Sequence, residues 1–84
     1  MEIRVSMASL PMKLLRLQKE GTELTATEVQ VLRRIAMGDS QAEAARRLGK
    51  SLESVRKQTK VARARLRART NAHAIAIAIS LDLI

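Results

Sequence analysis

Arg56, Lys57, Lys60, Arg63 and Arg67 are the residues of this chain best spaced to act together, and the chemistry they offer is anion binding rather than catalysis. In a helix, which advances about 100° per residue, Arg56, Lys60, Arg63 and Arg67 share one face and Lys57 stands at its edge. Leu52, Val55, Thr59, Ala62 and Leu66 fall on an adjoining stripe of about 80°, so one side packs while the next turns a row of cations outward. Between Arg46 and Arg69 there are ten basic residues and one acid, Glu53; the whole chain carries only +8. A solvated helix face normally mixes both signs at i,i+4 spacing. This one has no acid at that spacing beyond Glu53 and repels itself unless phosphates lie near it.

The remaining residues offer little else. A lone His73 and scattered carboxylates make no acid–base pair, no nucleophile with its base and no glycine-rich phosphate loop, so no enzyme and no cofactor are expected. With no cysteine and one histidine, neither a disulfide nor a zinc site can brace the fold. The chain has no Trp, Tyr or Phe, which argues against a membrane-surface helix and against modules that stack single-stranded bases. Met1 to Leu10 holds no sustained apolar run, so neither a secretory signal nor a membrane span is expected, and the cytoplasm is the expected location. Duplex DNA is the polyanion these exclusions leave in front.

Several elements must position the cations. Thr25-Ala26-Thr27-Glu28 is a capping box opening a helix from about Ala26 to Met37, with Val31, Leu32 and Ile35 at helical spacing and Gly38 beyond its end. Ser40 caps a short helix, Gln41 to Leu48, with Glu43 at its third position and Ala44, Ala45 and Leu48 on its buried side. Gly49 stops it, and Ser51 with Ser54 supplies capping oxygens for a longer helix ending near Leu66. Ala45, Gly49 and Val55 carry the spacing of a helix-turn-helix: a small residue at the crossing, a glycine for positive φ in the turn, and a branched residue seating the second helix.

Ala72 to Ile84 alternates Ile75, Ile77, Ile79, Leu81 and Leu83 at strand period, yet the alanines between them are strong helix formers. A helix is favoured, since a single strand would find no sheet to join. Pro11 to Gly21, with Met12, Leu14, Leu15 and Leu17, predicts a further short helix that packs on the domain or docks a partner. The fold expected is all-α: an N-terminal extension over 1–23, then a tetrahelical helix-turn-helix domain over 24–84.

From Leu24 to Ile84 the chain resembles the LuxR/GerE family of bacterial transcription regulators. Leu24-Thr25, Glu28 and Val31-Leu32 look like the opening signature of its DNA-binding domain. Gly38, Ser40, Glu43, Ala45, Leu48, Ser51, Val55 and Leu66 follow in register, and Ala74-Ile75 and Leu83-Ile84 agree with its last helix. The resemblance implies base reading by Arg56, Lys57 and Lys60, phosphate contacts at Ser51, Ser54, Thr59 and Arg63, and a homodimer through the last helix at Ala74, Ile75, Ala78 and Ile79. Arg67 extends the basic row. The sequence also departs from the family. Arg67 and Asp82 replace usual glycines, which predicts that both helix ends manage without a left-handed cap. Lys50 stands where an apolar residue is common, and Gln58 replaces a frequent histidine. Val61 to Arg67 is similar as well to the end of the sigma factor region that reads the −35 promoter element. A second class of function stays open at this point: an interaction protein that modulates another regulator or RNA polymerase through its N-terminal helix or apolar tail.

Overall fold

The computed structural model describes residues 23–84. Among them are four helices and no strand: α1 (Ala26–Ala36), α2 (Gln41–Leu48), α3 (Leu52–Leu66) and α4 (Asn71–Ser80). The helix expected over Pro11 to Gly21 lies outside the described residues. The closing segment is helical, as the alanines favour, and Thr70 starts it by accepting a bond from the His73 N–H at 3.0 Å.

Each of the first three helices begins where its cap dictates. Thr25 accepts from the Glu28 N–H while the Glu28 carboxylate accepts from the Thr25 N–H, at 3.1 and 2.8 Å. Ser40 and Glu43 repeat this reciprocal arrangement on α2. On α3 the Ser51 hydroxyl accepts from the Ser54 N–H at 3.0 Å. Backbone donors that a helix leaves unpaired at its start are thus satisfied locally.

α3 is the central element and packs against α1, α2 and α4. Two buried clusters hold it. Val31, Ala45 and Val55, with Ile35 and Leu48 against them, fill the crossing of α2 and α3. Leu32, Ala62, Leu66, Ala74 and Ala78 join α1, α3 and α4. The neighbours Val31 and Leu32 therefore serve different clusters from adjacent positions on α1. Ala62, Ala74 and Ala78 have no exposed surface, so α3 and α4 meet through methyl groups and their backbones lie close. This corrects the expectation for α4. Ala74 and Ala78 belong to the domain's own core and cannot also form a dimer surface, whereas Ile75 is half-buried and Ile79 is 58% exposed.

The helix ends correct a second expectation. Gly49 terminates α2 at φ +67, as its place in the turn requires. Arg67 and Asp82, standing where glycine was expected, adopt the same left-handed conformation at φ 54 and 58. The hydrogen bonds explain why. After α3, Ala68 N–H donates to the Arg63 carbonyl at 2.8 Å; after α4, Leu83 N–H donates to the Ala78 carbonyl at 2.8 Å. These bonds satisfy helix-end carbonyls and require the intervening residue to turn left whatever its side chain.

Two carboxylates tie helices together. Asp39, in the turn between α1 and α2, accepts from Arg34 Nε at 2.7 Å and lies 3.5 Å from Arg47 Nε. The hydrogen bond from Arg34 holds the Asp39 carboxyl below the usual carboxylate range, assisted by the charges of Arg34, Arg47 and Arg46. Glu28 is buried at 4% exposure, and its second oxygen lies 3.8 Å from Arg65 Nε on α3; Arg65 also donates to the Glu23 carbonyl at 2.8 Å. One glutamate thus both caps α1 and anchors the end of α3. Glu28→Ala is expected to cost about 1–2 kcal/mol in urea unfolding, chiefly the worth of the charge-assisted capping bond with a small addition from the partly exposed ion pair to Arg65, and Glu28→Gln, which keeps the accepting oxygen, distinctly less. Equal losses in the two variants would show that the charge of Glu28 opposite Arg65, not its accepting oxygen, carries the effect.

Candidate nucleic-acid interface

The outward side of α3 is built by what its inward side must do. Val55, Thr59, Ala62 and Leu66 are buried and Leu52 is half-buried, which fixes the rotation of the helix about its axis. Arg56, Lys57 and Lys60 are then exposed, and among the described residues none of the three forms an ion pair. Ser51 is exposed at the helix start. Its oxygen accepts the cap bond, leaving the hydroxyl proton free to donate.

Three of the expected site residues stand differently from their neighbours. Thr59 is removed from the candidate interface: it is 1% exposed, its hydroxyl donates to the Arg56 carbonyl at 2.9 Å and accepts from Gln41 Nε2 at 3.4 Å. A hydroxyl so placed cannot reach a phosphate. Its position on the packing stripe already carried that signal, and the family-derived contact conflicted with it. Ser54 is half-buried and faces Gln58 Nε2 at 3.5 Å. Arg63 is half-buried, and its Nη1 donates to Asn71 Oδ1 at the start of α4, 2.7 Å away.

Electrostatically, the fold sorts the basic residues into two groups. Arg34 and Arg47 face Asp39 and Arg65 faces Glu28, so these cations have internal counterions. Arg56, Lys57, Lys60 and Arg67 are exposed on or just beyond α3, with Glu53 the one acid on that helix. Ten basic residues in the segment therefore do not form one uniform patch. Sequence reasoning counted Arg47 and Arg65 in the reading head, and nothing in helical spacing alone reveals partners on α1 or in the preceding turn. It also passed over Thr70, although Thr70 to His73 repeats the three-residue cap spacing, and over Asn71, for which no local signal exists.

No group of three His, Cys, Asp or Glu side chains converges among the described residues. Among the described residues there are two open grooves. One, of about 340 Å³, runs between the start of α1 and α3, where Glu28, Ser54, Lys57 and Arg65 line it. The other, of about 310 Å³, is largely apolar and lies between Met37 at the end of α1 and Ile79 and Ile84. No described helix is long and apolar enough to cross a membrane. Comparison with protein-family models, curated proteins and solved structures yields no match to this chain.

Arg67 joins the site to the fold, because it ends α3 in a conformation that disfavours a side chain. Arg67→Gly is expected to raise stability by about 0.5–1 kcal/mol, after the greater unfolded-state freedom of glycine is set against the relief of strain. A thermal melt checks this. A lowered midpoint would mean that the arginine side chain holds the turn by contacts worth more than the strain.

Proposed function

We propose that this chain is a sequence-specific duplex-DNA-binding transcription regulator that lays α3 in the major groove and acts as a dimer. The observation that carries the reading is the exposed, predominantly basic face of α3, where Glu53 is the one acid and Arg56, Lys57 and Lys60 form no ion pair among the described residues while other arginines are paired inward. A helix about 10–12 Å across fits the major groove, and Arg and Lys are the side chains that most often address guanine there. Arg67 and Ser51, the latter with a free donor, stand at the two ends of α3, and in this reading they contact backbone phosphates. Ser54 and Arg63, both half-buried, act from its flanks.

The LuxR/GerE resemblance gains support from α4. That helix is an integral part of the core through Ala74 and Ala78, which a sigma-type module reading the −35 element does not need. The missing glycine at Arg67, the feature that pointed toward sigma, loses its force because Arg67 takes the left-handed conformation itself. For the dimer, the relevant surface is the outer side of α4. Ile79 and half-buried Ile75 replace the alanines as its centre, with Met37, 70% exposed, sharing an apolar groove with Ile79.

DNA binding is tested by duplex affinity measured against salt. Direct binding by a dimer gives a log–log slope on the order of −4 or steeper. Lys60→Ala makes it shallower by about one unit per protomer and weakens binding roughly tenfold or more. Absence of binding to any duplex at low salt would sink this reading and favour a protein partner. The dimer is tested separately by sedimentation: Ile79→Glu, which sets a charge into apolar contact, is expected to yield monomers. A wild-type protein already monomeric at high concentration would remove the proposed interface.

A further inference from the structure

The proposed DNA face includes one residue that is not held as its neighbours are. Arg56, Lys57 and Lys60 extend from α3 with no side-chain hydrogen bond among the described residues, whereas Arg63 Nη1 donates to Asn71 Oδ1 at 2.7 Å. The backbone of Arg63 is fixed at the same time, its carbonyl accepting from Ala68 N–H at 2.8 Å as the chain turns toward α4. Arg63 is thus fastened at both main chain and side chain to the segment leading into α4. That segment is itself ordered: Arg69 N–H donates to His73 Nδ1 at 3.1 Å, and Thr70 caps the helix.

A guanidinium has five donors in a planar fork, and the bond to Asn71 uses one of them. Asn71 is neutral, so it restricts the orientation of Arg63 without cancelling its charge. An aspartate or glutamate in the same place would have done both. The half-burial of Arg63 further limits its side-chain rotamers. The entropy of ordering a long arginine is therefore spent on folding rather than on binding.

We propose that Asn71 is a positioning residue for the nucleic-acid face: it holds the Arg63 guanidinium in place for a backbone phosphate and so makes the start of α4 part of the binding site. The inference rests on the DNA-binding reading given above and adds to it a residue that itself carries no charge.

The test is a double-mutant cycle read by duplex affinity across a salt series, using a mixed-sequence duplex of about 25 base pairs, long enough for two half-sites one turn apart. Arg63→Ala is expected to weaken binding and to make the salt slope shallower by about 0.9 per protomer, one phosphate contact having been lost. Asn71→Ala leaves all charges in place. It is expected to lower affinity about three- to tenfold with little change in slope, as befits a lost constraint rather than a lost contact. In the Arg63→Ala background, Asn71→Ala is expected to have no further effect.

A merely structural role for Asn71 would weaken binding equally in both backgrounds, and such additivity would overturn the proposal, as would an Asn71→Ala protein that binds like wild type. If Asn71→Ala lowers the thermal midpoint enough to confuse the comparison, Asn71→Ser, a residue that keeps a polar oxygen on a shorter arm, carries the same cycle. Failure of the wild-type protein to bind the duplex at low salt would overturn the DNA-binding reading itself. Wild-type binding with additive mutants would overturn only the role of Asn71.

Discussion

The arrangement depends on α3 being gripped along one stripe and left bare along the next. Val55, Thr59, Ala62 and Leu66 face the other three helices, and no residue among them is larger than leucine. Small side chains bring the neighbouring backbones close, and close backbones leave α3 little freedom to roll about its axis. A roll of one residue, about 100°, would turn part of the cationic row into the core. The packing stripe thus fixes the direction in which Arg56 and Lys60 point. The chemistry on one side of the helix is a consequence of methyl-group packing on the other.

The few acids complete that division. Glu28 and Asp39 are used inside the fold, against Arg65 and against Arg34 with Arg47. Had these carboxylates stood on the outer face of α3, the same net charge would have produced a mixed, solvated surface with little attraction for phosphate. Held where they are, they fasten α1 to the end of α3 and close the turn before α2. The outer row is left with the single acid Glu53. Stability and charge separation are therefore obtained from the same ion pairs. These pairs are partly exposed on the arginine side, so each contributes modestly and their geometric role outweighs their energy.

Much of this was legible in the sequence, for identifiable reasons. Capping signals are local, so Thr25, Ser40 and Ser51 placed the helix starts correctly, and helical periodicity identified the buried stripe of α3 together with Val31, Leu32 and Ala45. What local pattern cannot carry is partnership across the fold. Arg65 looks the same as Arg63 on a helical wheel until α1 supplies Glu28 to one and α4 supplies Asn71 to the other. Thr59 had two contrary readings, packing stripe and phosphate contact, and burial decided for the first. The outward placing of Ala74 and Ala78 comes from the family resemblance, and the sequence offers no check on it, because an all-apolar helix gives no clue to which side faces its own domain.

The left-handed ends of α3 and α4 show how non-local demands override local preference. At Gly49 residue and conformation agree; at Arg67 and Asp82 they do not, yet the same hydrogen-bonded turn forms. Aspartate tolerates this region better than most residues, whereas arginine does not share that advantage. In a domain with no aromatic residue and a core rich in alanine, a strain on the order of 1 kcal/mol is a substantial fraction of total stability. Its persistence at Arg67 is understandable if the side chain contributes outside the folded monomer. In the proposed binding mode, a cation at the end of α3, beside the turn that holds Arg63 through Asn71, would be available to a backbone phosphate. Strain in the free protein and charge at the interface then meet in one residue, and glycine could supply only the relief of the first.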